Sequence, residues 1–584
     1  MPYTILKLPP GVVRGATDSQ AQNSWYDTNL VRWREGVLTP IGGWARIGDS
    51  GVLTKARAIA AWTDNTDQRL VAFGCDSHIH VLEGPVLRNI TPDEFTNFTD
   101  DTTGGGYGAL AYGVDYDPTP DTTYAISSIG RASNVVTVNT TLPHNLQPGM
   151  LVEIASVSDA TFNGRFNVVA AVDADTFTYS QTGSNVTSAA LGGTYQDIIA
   201  YGTRRSGGST IYTRAFNFSL DTFGQTLVGV ASTDGRLLKW SPGEAKATAV
   251  TNAPTGNRAC VVTDERHIML LGADGNPRRI AWCSREDFTD WNFSSITNTA
   301  GFLDLDTPGH LLAARNVKDG ILLFTDSEVW LARYVGMPFV YAAERVGFNT
   351  TLISSQAIAA FGNKAVWMGQ ESFWLYDGGF VKPLPCNVGD FVFDGIERDI
   401  AGTRVTCSVN GIFPEVWFFY PENGNTENSR YIIWNYAEGW WAIGDGVKRT
   451  AMTPAGVFPY PIATDEDGVI FRHEEGWLGD GSSLVGEIYA ETAAVSVGAG
   501  DQVVSISRVQ PDSGFGYDKT SFTFYGRYAK EGSETTFGPY NCRAGGYMDT
   551  RVSGRDIRLR LEARETGDWS VGDFRMQVIP RGKR

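Results

Sequence analysis

Six histidines and a few paired acids are the side chains on which catalysis or metal binding could be built in this chain. His78 and His80 stand at i and i+2 of an alternating run. That spacing puts both on one face of a strand and could supply two metal ligands. No third ligand is identifiable beside them, and His144, His267, His310 and His473 fall in separate segments. The pair is therefore expected as solvent-exposed strand histidines. Acidic clusters at residues 304–306 (DLD), 465–467 (DED) and Glu474-Glu475 could furnish a carboxylate pair for glycoside hydrolysis. Acidic turn residues are their ordinary explanation.

Cysteine chemistry is equally thin. Cys75, Cys260, Cys283, Cys386, Cys407 and Cys542 lie far apart, with no CxxC pair. They are expected as small buried side chains in a reducing compartment, forming neither a zinc site nor a disulfide framework. No P-loop, GxSxG elbow or HExxH occurs. The stretch nearest to a sialidase box, residues 232–240, lacks the S-x-D-x-G-x-T-W spacing. No catalytic, cofactor-binding or metal-binding residue is assigned, no cofactor is expected, and an enzyme is not expected.

Charge restricts the partners. The chain carries 48 Lys and Arg against 65 Asp and Glu, a formal net charge of −17. Tight phosphate binding draws its affinity from clustered basic side chains, so the chain as a whole is not expected to grip DNA. Three other roles fit the balance: solubility, avoidance of nucleic acid, or a wall along which DNA slides without sticking. Short basic patches stand at Arg204-Arg205, Arg278-Arg279 and the C-terminal Arg581, Lys583 and Arg584. The last three are read as docking residues, with an acidic neighbouring subunit the expected partner of such patches. No residue is assigned to a channel lining.

The elements that would position these side chains are strands. Gly 66 and 12% aromatic residues in 584, with almost no helical periodicity, are the composition of short strands joined by tight turns. One unit recurs: an alternating apolar run, a polar turn, and a second run carrying an aromatic residue. It reads RLVAFGCDSHIHVLEGPVLRNI at 69–90, QTLVGVASTDGRLLKWSP at 225–242 and DGILLFTDSEVWLARY at 319–334. It returns as NKAVWMGQESFWLYDG at 363–378 and IATDEDGVIFRHEEGW at 462–477. Residues 259–282 and 405–441 fit more loosely, the latter with an insertion at 421–429.

A hairpin period near ~40 residues with no helix between units predicts a β-propeller, here of about seven blades. Trp240, Trp330, Trp374 and Trp434 are expected to pack between blades. A Thr/Ser/Val-rich segment at 122–196 predicts a small inserted β-barrel or sandwich, with Gly104–Gly106 and Gly207-Gly208 as its junctions. The expected organisation is an N-terminal β segment and propeller closure at 1–56, a first blade at 57–121 and the insertion at 122–196. The remaining blades follow at 197–483 and a C-terminal β-domain at 484–584. The start MPYTILKLPPGVVRG carries no secretion leader, and no apolar run approaches the ~20 residues of a membrane span.

Three segments carry a resemblance. The insertion motifs at 141–154 and 162–168 resemble a small module frequent in phage tail and baseplate proteins, and NSWYDTNLVRWREGVLTPIGGWARI (23–47) and GDWSVGDFRMQVIPRGKR (567–584) resemble the end segments of the tail nozzle (hub) proteins of short-tailed bacteriophages. These are also known as packaged-DNA stabilisation proteins. The resemblance implies a structural virion protein in the tail, assembled in the host bacterial cytoplasm as a homo-hexameric ring. It implies contact with the portal and its adaptor, with fibre or spike and needle or tip proteins, and weakly with passing double-stranded DNA during ejection. The alternative is a receptor-binding or glycan-degrading tail component built on a propeller.

Overall fold

The computed structural model describes residues 3–14, 21–48, 51–93, 95, 123–144, 146, 148, 151–197, 218–495, 502–529 and 532–582. The proposed glycine junctions, Gly149, Arg204-Arg205, Lys583 and Arg584 lie outside these residues.

The recurring unit folds as a hairpin whose turn is closed by a polar side chain in two of the blades. Between Gly320–Thr325 and Glu328–Gly336 the Thr325 Oγ1 accepts the N–H groups of Ser327 (3.3 Å) and Glu328 (2.8 Å). Between Ile462–Thr464 and Ile470–His473, Asp465 Oδ1 accepts those of Asp467 and Val469 at 3.0 and 2.9 Å. Six antiparallel sheets of four consecutive strands result. In chain order they run from Ala56–Thr63 to Val86–Asn89 and from Phe218–Phe223 to Thr248–Ala249. The next two run from Ala259–Val262 to Gly301–Asp304 and from Leu311–Val317 to Val340–Phe348. The last two run from Ile358–Phe361 to Val381–Leu384 and from Thr406–Val409 to Trp441–Asp445.

The seventh blade is a composite. Ala451–Thr453, Ile462–Thr464 and Ile470–His473 supply three strands, and Trp44–Arg46 from the other end of the chain pairs with the third. The first strand of every blade neighbours that of the next, and the seventh neighbours the first. The protein is thus a closed seven-bladed β-propeller. Apolar cores fill the seams between blades. Trp240 of blade 2 is fully buried, edge-on to Trp62 of blade 1 at 6.4 Å. Trp330 and Trp374 pack, partly buried, against the cores shared by blades 3 and 4 and by blades 4 and 5. Trp434 stacks on Trp441 within blade 6 at 6.0 Å.

The strands between Tyr124 and Asp197 form a unit of their own. Six of them close into a barrel, with Val186–Ala189 as an added edge. Its interior holds Ile129, Val136, Val152, Phe162 and Phe177, and Phe166 stacks on Tyr179 at 4.2 Å.

The C-terminal β-domain is not confined to 484–584. One sheet orders Tyr3–Leu6, Phe574–Pro580, Val504–Pro511 and Met548–Gly554. The other orders Trp25–Asn29, Tyr489–Thr492, Asp556–Ala563, Thr520–Arg527 and Thr535–Asn541. Phe522 meets Phe574 edge-on at 6.0 Å between the two sheets, and both lie fully buried. An N-terminal strand therefore sits in each sheet of this sandwich. Two short helices, Gly389–Gly395 and Arg398–Arg404, link blades 5 and 6.

Candidate functional site

The histidine pair is not the exposed pair expected. His80 is 2% exposed and lies 5.8 Å, ring to ring, from the half-buried His78. Burial, with His78 adding to it, pulls His80 down to about 4, and its Nδ1 faces the Cys75 Sγ at 3.9 Å. The reason is architectural: adjacent blades cover both faces of a propeller sheet, so alternation does not sort polar side chains into solvent. His144, His267 and His473 are buried as well. Among the described residues, no group of three or more His, Cys, Asp and Glu is placed to hold a metal. All six cysteines are free thiols, four buried and two half-buried. Burial pushes Cys386 up to about 12.

The acidic clusters disperse in the fold. Asp304 forms a bidentate pair with Arg279 at 2.8 and 3.0 Å, and Asp465 serves its turn. Arg279 also reaches Asp274, so the Arg278-Arg279 patch is half neutralised within its own blade. Glu475 pairs with Arg472, whereas Glu474 turns inward onto Arg32. Arg581 is exposed, with its Nη2 3.5 Å from Ser505 Oγ.

Three clusters of buried charge that the linear pattern did not mark tie the blades together. The first is the propeller pore. A cavity of about 370 Å³ is lined by the innermost strands of all seven blades. Its hydrogen bonds tie neighbouring blades: Ser219 Oγ accepts the Cys260 N–H (2.7 Å), and Asp221 Oδ2 accepts that of Val262 (2.8 Å). Arg315 donates to the carbonyls of Ala314 (2.9 Å) and Ser355 (3.3 Å) and to Gln356 Oε1 (3.4 Å). The Gln356 Nε2 then reaches from blade 5 to the Phe218 carbonyl of blade 2 at 2.7 Å.

Confinement pulls the Arg315 guanidinium down and pushes the Asp221 carboxyl up from their ordinary values. A B-form duplex has a major groove ~12 Å wide. A cavity of this volume, strutted by a glutamine, does not admit one. Replacing Gln356 with alanine is expected to lower stability by about 1 kcal/mol, the worth of one neutral hydrogen bond. Denaturant midpoints check this, and an unchanged midpoint would mean that the strut carries no load.

The second place fastens the N-terminal hairpin. Arg32, fully buried in Val31–Arg34, binds Glu415 of blade 6 (Nε–Oε1, 3.0 Å) and Glu474 of blade 7 (2.5 Å). Asn410 Nδ2 and the Gly42 N–H complete Glu474 at 2.9 and 3.2 Å, and the Trp417 indole N–H donates to Glu415 at 3.1 Å. The third place centres on Glu427, in the insertion at 421–429. It takes Arg57 at 2.8 and 2.9 Å, Lys55 at 3.0 Å and Arg404 at 3.1 Å. Arg57 is the second residue of the innermost strand of blade 1, so a loop of blade 6 reaches past blade 7 to hold it. An arginine between Val31 and Trp33 was the one available signal of the Arg32 site.

No family model and no curated protein matches the chain. The WD40 domain of Neurospora crassa Pan2 is 7% identical, covering 75% of this chain and 96% of that one, with a TM-score of 0.35. The extracellular domain of the putative one-component system BT4673 of B. thetaiotaomicron is 10% identical, covering 86% and 50%, with a TM-score of 0.26. The endosialidase of phage phi92 is 13% identical, covering 71% and 69%, with a TM-score of 0.20. Likenesses at this level carry nothing about what the chain does, and the propeller assignment stands on the sheet order described above.

Proposed function

We propose that this chain is a ring-forming subunit of a short-tailed phage tail nozzle, whose propellers wall a DNA conduit lying between subunits. The observation that carries the reading is the meeting of the two end segments on which the resemblance rests. The Leu38 N–H donates to the Val571 carbonyl at 2.9 Å, and the Val571 N–H returns the bond to Leu38 at 3.0 Å. Trp33 and Trp569, one from each segment, are both buried in the same core. The motifs thus belong to one structural device rather than to two unrelated ends. The strutted pore supports placing the conduit outside the single propeller, where the acidic balance keeps phosphate contact weak. The sandwich and Arg581 would meet adaptor, fibre or tip proteins, and symmetry would set the subunit contacts.

Electron microscopy of the purified protein and of the virion tests this. The expected result is a ring with an axial hole, six-fold by the family resemblance, on the tail axis below the portal. Monomers in solution and no axial position on the particle would remove the proposal.

A further inference from the structure

We infer that a second cavity, where the N-terminal hairpin, blades 6 and 7 and the sandwich converge, is a binding site for a neutral pyranose. It measures about 260 Å³ and is lined by Arg34, Gly42, Phe413, Glu474, Trp477 and Asp568, among others. Drug-sized ligands occupy clefts from roughly 300 Å³ upward, so this one has room for a single sugar ring or one unit of a chain.

The chemistry of the lining selects the class. Arg34 is exposed, forms no ion pair among the described residues, and lays its guanidinium on the Phe413 ring at 4.5 Å. Asp568 accepts from Lys519 through its backbone carbonyl, and its carboxylate has no hydrogen bond or ion pair among the described residues. Of the three charged side chains lining the cavity, Glu474 is held by Arg32, while Arg34 and Asp568 pair neither with each other nor with another charged side chain among the described residues. An acidic ligand would gain from Arg34 and lose at Asp568, and a basic ligand would do the reverse. A polyol satisfies both, its hydroxyls accepting from the guanidinium and donating to the carboxylate. Trp477, half-buried and with no partner for its indole N–H among the described residues, adds an aromatic surface for the C–H face of a pyranose.

The wall is built to stay in place. Glu474 holds a left-handed backbone (φ 60°) that favours glycine, yet Arg32, Asn410 and the Gly42 N–H fix its carboxylate. Residues kept in such conformations cluster at ligand clamps, because the surroundings must over-determine them. A site of this kind would serve a nozzle subunit touching a glycan-coated cell, or any other carrier of the fold.

The test is saturation-transfer NMR on the full chain with methyl α-glucoside, methyl α-galactoside, methyl α-mannoside and methyl N-acetyl-β-glucosaminide, alongside free glycine and alanine. At least one glycoside is expected to receive saturation. Trp477→Ala should weaken that binding at least tenfold, Trp477→Phe should retain part of it, and Asp568→Asn should weaken it while leaving the thermal midpoint in place. Silence from all four glycosides, undiminished binding by Trp477→Ala, or a response to the amino acids alone would overturn the assignment. Because ring formation is scored by microscopy, loss of the sugar site and loss of the nozzle reading are separately visible.

Discussion

Arg32→Ala is expected to lower stability by about 3–5 kcal/mol, the cost of breaking a buried ion pair by removing one partner. The guanidinium is fully enclosed and holds two carboxylates, one on each of the last two blades. Burial alone would pull Arg32 down, but Glu415 and Glu474 outweigh it and raise it above its ordinary value. Glu415 moves the other way from a usual paired acid: burial pushes it up, and Glu474 adds to this beyond what Arg32 cancels. Without Arg32 the two acids face each other with no cation, and the cheapest response is for Glu415 to take up a proton.

The sign follows from that response. A carboxyl raised above its unfolded value contributes stability below that value and loses it as pH rises through the folded one. Arg32→Ala should therefore be less unstable near pH 5 than at pH 8, a trend opposite to ordinary acid denaturation. Denaturant titrations of both proteins at the two pH values measure it. A variant within 1 kcal/mol of wild type at pH 8 would mean that the triad is hydrated and does not lock the hairpin. Arg32→Lys keeps the charge but loses the two-pronged geometry, and should fall between them.

The blades were legible because a propeller is local: each hairpin and its turn sit within about twenty residues, and period two survives in 69–90 or 363–378. Seven such units correspond to the seven blades. What joins the ends was not legible. The pairing of Tyr3 with Gln577, or of Trp25 with Thr492, links residues hundreds of positions apart, and no local pattern specifies such a register. The same limit hid the sites. Arg57, Glu415 and Glu427 look like surface charge in a linear reading, and become buried partners only once blades 1, 6 and 7 are brought round the ring. The burial of His80 has a related cause, since alternation identifies a strand's two faces but not that a neighbouring blade covers the second one.

The insertion at 421–429 yields the other large effect, because it places one carboxylate among three cations. Burial would push Glu427 up, but hydrogen bonds and charge from Arg57, with Arg404 and Lys55, pull it from 4.5 down to about 2. Each pK unit is worth about 1.4 kcal/mol, so the ionised side chain, 2% exposed, contributes about 3 kcal/mol at neutral pH. A depressed carboxyl stabilises above its unfolded value and ceases to do so as pH falls through its folded one. Glu427→Gln should therefore cost about 3 kcal/mol at pH 7, with the gap to wild type narrowing from about pH 4.5 and closing toward pH 2. Arg57 would retain Asp76 at 2.8 Å, which keeps the variant foldable, and Arg404 would lose its 3.1 Å contact with Glu427. Unfolding midpoints across that pH range decide the matter. A gap that stays constant would assign the loss to packing of the loop, and a vanishing gap would assign it to the charge that ties blade 6 to blade 1.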